Sequence, residues 1–241
     1  MTLPKIDLPL HKLRLPSSGK EITVRPFLVK EEKLLLMAQE SGSESDIITT
    51  VKQIINNCIV GDNIRIDSLP FFDVDYLFIA LRAKSIGESI DIKYRCNNIV
   101  GESECGNVFP AKIDISNCKV IKNEAISNEI SISGTVRVKM KYPTYSIMKN
   151  IMDNDNILNK KIQVVVGSIE YIKEKEKIYG PKDVSKEELV QFIEGLTQEQ
   201  FKKFESFIDN FPTFVVTSEA ACGKCGFVHH LEYKDFTSFF V

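Results

Sequence analysis

Four of the six cysteines in this chain fall into two pairs whose surroundings suit a metal ion. Cys96 closes the run Tyr94-Arg95-Cys96, eight residues follow, and then comes Cys105-Gly106. The second pair is tighter: Ala221-Cys222-Gly223-Lys224-Cys225-Gly226. Each second cysteine precedes a glycine, and each pair sits between strand-like runs. Two hairpin knuckles, each offering two thiolates to one tetrahedral ion, make a zinc ribbon. A structural Zn2+ held by Cys96, Cys105, Cys222 and Cys225 would staple distant parts of the chain, which points to a rigid scaffold rather than a catalytic pocket. Two other readings stand beside it, four unrelated thiols or a disulfide framework; a disulfide framework suits a secreted chain, and nothing marks this one as secreted. A redox C-x-x-C opens a helix after a strand, whereas Cys225 leads into Gly226-Phe227-Val228, a strand onset. Cys58 lies on the apolar face of a predicted helix and Cys118 stands alone, so both read as ordinary thiols.

Little other chemistry is written in the chain. Its three histidines are His11, His229 and His230. Neighbours on a strand point to opposite faces, so at most one of His229 and His230 can face a metal, and four thiolates already complete a tetrahedron. No phosphate-binding glycine loop, G-x-S-x-G or H-E-x-x-H is present. Asp73 and Asp75 fall near a helix start, where carboxylates suit the helix dipole. The chain therefore reads as a non-enzyme without a small-molecule substrate.

Bulk properties agree. The 31 basic and 33 acidic residues leave a net charge of −2, so no strong pull on nucleic acid is expected. At 241 residues and 43% hydrophobic content the chain can bury a core. Met1-Thr2-Leu3-Pro4-Lys5-Ile6-Asp7 has no apolar run, so no signal peptide is expected. No stretch approaches the roughly 18–20 apolar residues of a membrane span. A reducing cytoplasm, in which cysteines favour metal over disulfide, is the expected setting.

The elements that must position the cysteines follow from pattern. Residues 8–27 read as a hairpin turning at Ser17-Ser18-Gly19-Lys20. A helix from Leu28 to Gln39, with Leu34, Leu35 and Met37 as apolar content, ends at Gly42. Ser45 or Asp46 should cap a second helix whose buried face is Ile47, Ile48, Val51, Ile54, Ile55, Cys58 and Ile59. Pro70 opens a third, with Phe71, Val74, Leu77, Phe78 and Leu81 in its stripe. Ile90, Ile92 and Tyr94 alternate into the first knuckle, and Val108 to Ile115 leaves it. Between the knuckles, Ile130 to Met140 alternates with a turn or bulge at Gly134. Thr144 to Tyr171 suits a helix, although Val164-Val165-Val166 also suits a strand. Glu170 to Lys177 reads as a solvated charge run. Capping boxes Ser185–Glu188 and Thr197–Gln200 open two short helices. Phe214 to Val216 enters the second knuckle, Val228 to Tyr233 leaves it, and the apolar tail Phe236 to Val241 should pack against something. The fold class is α+β: an N-terminal β-hairpin and helical layer over 1–89, a split zinc-ribbon-like β module over 90–115 and 213–241, and an inserted α/β subdomain over 116–212.

The opening block carries a resemblance. Leu15-Pro16-Ser17-Ser18-Gly19-Lys20 and Arg25-Pro26-Phe27-Leu28-Val29-Lys30-Glu31-Glu32-Lys33 are its strongest segments. Leu69-Pro70-Phe71-Phe72-Asp73-Val74-Asp75-Tyr76-Leu77-Phe78 and Leu81-Arg82-Ala83-Lys84-Ser85-Ile86-Gly87-Glu88 support it. Over residues 1–115 the chain resembles the baseplate hub subunit and hub assembly proteins of T-even-like contractile-tailed phages; 116–212 matches nothing specific. The resemblance implies a structural or assembly role in the virion tail baseplate, assembly in the host bacterial cytoplasm, and other hub or tail tube proteins as partners. The alternative is a zinc-ribbon module that binds nucleic acid, such as a phage late regulatory protein. It would need a basic face at the knuckles, but Lys93, Arg95, Lys112, Lys224 and Lys234 are opposed there by Glu102, Glu104, Asp114, Glu219, Glu232 and Asp235. A thiol redox enzyme is the third reading and would need a reactive cysteine.

Overall fold

Strand β1 (His11–Arg14) pairs antiparallel with β2 (Glu21–Val24), His11 opposite Val24. The turn between them needs a left-handed residue, and Gly19 supplies it at φ 70°. This is the expected hairpin, and it buries Leu13, Leu15, Ile22 and Val24. The computed structural model describes residues 6–62, 64–152, 156–234 and 239.

Three helices follow. Helix α1 (Val29–Ser41) ends at Gly42, whose φ of 65° lets its N–H reach the Gln39 carbonyl. Its burial differs from the expected stripe. Glu31 and Ala38 are the buried residues, while Val29, Leu36 and Met37 stand exposed. Helix α2 (Glu44–Cys58) is capped by Ser43, two residues ahead of the nearer expected cap, because Ser43 accepts the Asp46 N–H and so satisfies a first-turn donor. Ile48, Val51, Ile54, Ile55 and Cys58 are buried as the spacing predicts. Helix α3 (Phe71–Ser85) is apolar nearly all round, as a central helix must be, with Phe72, Val74, Leu77, Phe78, Ile79 and Leu81 buried.

The remaining elements, in order, are β3 (Ser89–Arg95), β4 (Ile99–Val100), β5 (Ser103–Glu104), β6 (Val108–Asp114), β7 (Lys119–Ile121), β8 (Glu129–Ser131), β9 (Val136–Met140), α4 (Tyr145–Met152), α5 (Ile157–Ser168), β10 (Ile169–Glu174), β11 (Lys177–Tyr179), α6 (Lys186–Glu194), α7 (Gln198–Asp209), β12 (Thr213–Ala221) and β13 (Val228–Tyr233). The protein is α+β, and its chain divides into two compact units.

The first unit takes the residues up to Ile64, Phe72–Ile121 and Thr213 onward. It holds the hairpin, most of the three helices, the β3–β6 and β4–β5 pairs, and a sheet ordered β13-β12-β7. Buried polar contacts tie its N-terminal part together. Asp73 is fully buried; it accepts the Ser17 N–H at 2.9 Å and the Ser17 hydroxyl, so it holds the hairpin turn as well as sitting in the first turn of α3. Arg25 donates through both terminal nitrogens to the buried Glu31, at 3.3 and 3.0 Å. The Phe27 N–H reaches Ser85 Oγ at 2.7 Å. From the apolar tail, Phe239 is buried against the rings of Phe214 and Tyr233; residues 236–238, 240 and 241 lie outside those described.

The second unit takes Arg65–Phe71 and Lys122–Pro212. Its sheet runs β11-β10-β9-β8, and α4 to α7 accompany it. Val138, Met140, Val165, Ile169, Leu189, Phe204 and Phe207 form its core. Both expected capping boxes are present: Ser185 N–H to Glu188 at 2.7 Å, and Thr197 N–H to Gln200 at 2.9 Å. The valine run is helical, and burial of Val165 and Val166 in that core outweighs their β preference. The charge run Glu170 to Lys177 folds as the β10–β11 hairpin, turning at Lys175 with φ 54°. Alternating charges suit a strand whose outer face meets solvent. Segment 65–71 is stitched to this unit, its Phe71 N–H on the Pro143 carbonyl and its Leu69 carbonyl on the Tyr145 N–H.

Candidate metal centre

The β3–β6 pair runs from Ser89 opposite Asp114 to Arg95 opposite Val108, which delivers Cys96 at the open end. The first knuckle is long because it contains its own hairpin, β4–β5, turned at Gly101 with φ 68°. That hairpin returns Cys105 beside Cys96: Cys105 N–H donates to the Asn98 carbonyl and Cys96 N–H to the Asn107 carbonyl, both at 2.8 Å. The second knuckle leaves β12 at Ala221 opposite Val228 of β13. The two knuckles close alike. Gly106 N–H donates to the Cys96 carbonyl at 3.0 Å, and Gly226 N–H to the Cys222 carbonyl at 2.8 Å. Both glycines are left-handed, at φ 62° and 72°, which accounts for a glycine after each second cysteine.

The four expected thiols converge. Cys96, Cys105, Cys222 and Cys225 place their sulfurs within 4.8 Å of one another. Cys96 Sγ lies 3.6 Å from Cys225 Sγ, and Cys105 Sγ 3.9 Å from Cys222 Sγ. A disulfide needs about 2.05 Å, so these are free thiols. A zinc–thiolate bond of about 2.3 Å gives a tetrahedral edge of about 3.8 Å, and the donor set fits such an ion. Around them pack Phe109, Ala111, Ala220 and Leu231, with Ile92, Tyr94 and Tyr233 partly buried against them. This apolar cluster is smaller than the core of the second unit. Cys58 and Cys118 stand apart from the cluster.

Hydrogen bonds set the charge of the sulfurs. Backbone amides, that of Cys225 foremost, hold the Cys222 thiol down at about 6 against the opposing effect of burial, helped by Asn107 Nδ2 at 3.4 Å. The Phe227 amide leads in lowering Cys225, and Asn98 Nδ2 stands 3.7 Å from its sulfur. Burial pushes Cys96 up to about 12. A bound divalent cation would supply the counter-charge that lets all four ionise together.

Two positions here are not singled out by residue type, Asn98 and Asn107; each stands two residues after a cysteine of the long knuckle, which is the visible signal. Of the two histidines beside the second knuckle, His229 turns inward, its Nε2 3.2 Å from Cys96 Sγ. Strand alternation separates it from His230, which stays exposed beside Glu219 at 3.1 Å. His11 lies on β1, opposite Val24.

A family model described as "T4 bacteriophage base plate protein" matches residues 8–241. The chain belongs to that family. No curated protein and no solved structure matches it. The base plate protein is a structural component of the phage tail and works among other baseplate components. Among the described residues, no helix is long and apolar enough to cross a membrane. The segments that carried the resemblance are also those that hold the N-terminal part together: Ser17 on Asp73, Arg25 on Glu31, Phe27 on Ser85.

Proposed function

We propose that this base plate protein is a non-enzymatic part or assembly factor of the central hub, built in the host bacterial cytoplasm and working by docking to other hub or tail tube proteins. Helix α1 carries the reading. Val29, Leu36 and Met37 lie 82%, 55% and 56% exposed, and their spacing puts them along one side of the helix. A helix that turns apolar residues outward can serve as a helix-in-groove ligand. The knuckles add Ile99, Val100, Val108 and Phe227, also exposed.

In this reading Cys96, Cys105, Cys222 and Cys225 hold a structural Zn2+. The ion fixes both knuckles, so the module presents one shape and association costs less ordering entropy.

The test is co-assembly. Leu36→Glu with Met37→Glu should abolish co-purification with the other hub and tail tube proteins of the same phage while leaving the melting temperature within a few degrees, as surface changes do. Undiminished co-purification would overturn docking through α1. Native mass spectrometry should find one zinc per chain, lost on chelation.

One observation favours the nucleic-acid reading. A concave face of about 470 Å³ on the second unit is lined by Arg137, Lys139, Lys173 and Lys175, with Tyr171 and Glu129 among them. This face, rather than the knuckles, would then bind a phosphate backbone, and salt-dependent oligonucleotide binding lost on Lys173→Glu would support it.

A further inference from the structure

His229 does no work in the reading above, yet it is one of the few buried polar side chains of the chain, 4% exposed. Three rings surround it. Tyr94 lies 4.9 Å away, Phe227 4.8 Å and Phe109 6.2 Å, centroid to centroid. Such a cage fixes the plane of the imidazole. It leaves Nε2 aimed at Cys96 Sγ, 3.2 Å away, where the pair lies buried.

The chemistry decides the direction of that bond. A metal-bound cysteine is a thiolate, with no proton to give. Nε2 must then carry the hydrogen and Nδ1 the lone pair, so the neutral imidazole has one tautomer available. Two of the other sulfurs meet side-chain donors from the long knuckle: Cys222 meets Asn107, and Cys225 meets Asn98. Cys96 receives its side-chain donor from the opposite strand pair, β13.

We propose that His229 is the positioning residue of the metal centre: its Nε2–H holds Cys96 as an oriented thiolate and so keeps the ion bound. The proposal rests on the four-thiolate reading. Outer-shell donors of this kind are worth about 10- to 100-fold in metal affinity. His229 does not touch the metal, since four sulfurs fill the tetrahedron. It also links the two halves of the site through a contact independent of the ion, because Cys96 follows β3 while His229 lies on β13.

Two substitutions separate positioning from packing. His229→Phe keeps the ring among Tyr94, Phe109 and Phe227 but removes the donor. His229→Gln breaks the ring packing but can return an N–H to the same place. Zinc affinity of the full chain is read by competition with a chromogenic chelator. Cobalt(II) is loaded in parallel, and its thiolate charge-transfer band reports the metal–sulfur bonds, that of Cys96 among them. The expected result is a loss of about 10-fold or more for His229→Phe with a displaced cobalt band, and recovery of most of the affinity in His229→Gln. Wild-type affinity in His229→Phe, or a greater loss in His229→Gln than in His229→Phe, would overturn the proposal and make His229 a packing residue. Wild-type protein that takes up no metal would instead remove the four-thiolate reading itself. If His229→Phe does not fold, the imidazole nitrogens of the zinc-loaded wild type decide by long-range 1H–15N correlation: protonation at Nε2 is expected, and protonation at Nδ1 alone overturns the proposal.

Discussion

Cys105 Sγ lies 3.9 Å from Cys222 Sγ across 117 positions of sequence. The buried cluster about the thiols is limited in extent, with Phe109, Ala111, Ala220 and Leu231 beside the cysteines themselves. Removing a metal, or a ligand such as Cys222→Ser, should therefore loosen this module selectively. Amides of β3, β6, β12 and β13 should lose hydrogen-exchange protection after chelation, while those of α6 and α7 keep theirs. Uniform protection before and after chelation would show that the thiols converge without needing an ion.

Thiol chemistry in the metal-free protein should be graded. Cys225 is half-buried and its thiol is lowered, by the Phe227 amide first, whereas Cys96 is buried and pushed up to about 12 by that burial. Burial raises Cys58 to about 11 and Cys118 to about 12, so both are protonated at neutral pH. Iodoacetamide followed by peptide mapping should find Cys225 labelled ahead of Cys96, and Cys58 only after unfolding. Early labelling of Cys58 would contradict its burial in α2.

The Arg25–Glu31 pair should be worth far more than a surface ion pair. Glu31 is fully buried and bonded at 3.0 Å. Arg25→Met leaves that carboxylate buried without its main partner, at a cost of about 3 kcal/mol. Burial pushes the Glu31 carboxyl up, but Arg25, the Leu28 amide and Lys30 outweigh it and hold it below the usual range. The sign follows. Stabilisation is complete above the unfolded value of about 4.3 and is lost as pH falls through the lower folded value. Urea melts should show a constant gap between wild type and Arg25→Met at pH 6–8 and a narrower one at pH 3. A gap that stayed level with pH would assign the effect to packing of the arginine stem.

Gly167 should reverse a helix rule. Replacing glycine by alanine inside a helix usually gains about 1 kcal/mol. Here a Cβ would stand 2.7 Å from Ile147 Cγ2, where α4 and α5 cross. Gly167→Ala should cost about 1–3 kcal/mol, and Ile147→Ala should recover part of it. Calorimetric melting of the single and double variants checks this; a stabilised Gly167→Ala would mean the helices part freely.

What could be read from the sequence divides along physical lines. Local signals were legible. The apolar spacing of α2 and α3, the turn at Gly19, the capping boxes at Ser185 and Thr197, and two cysteine pairs with their glycines all express interactions within a few residues. The misplaced features depend on distant partners. Met37 is apolar yet exposed, because burial of a helix face depends on what lies opposite it. Asp73 sits where a dipole residue belongs, but Ser17, far back in the chain, is what it holds. His229 and His230 are alike in type, and only the pairing of β12 with β13 decides which turns inward. The Glu170–Lys177 run is solvated as its charges predict, with Glu170 and residues 173–177 exposed, but its strands also depend on pairing with β9, which lies far back in the chain.

The strand β7 has a larger consequence than its three residues suggest. Ile121 pairs directly with Thr213, so the chain leaves the first unit and re-enters it at adjacent points. Residues 122–212 are therefore a closed excursion, and the register of β12 is set before the second knuckle begins. Lengthening or shortening a loop of that excursion, away from its pairing with residues 65–71, would leave the register of β12 unchanged. The long gap in sequence between the two cysteine pairs is thus bridged by the pairing of β7 with β12, Ile121 opposite Thr213, and their meeting in space rests on strand pairing rather than on the length of chain between them.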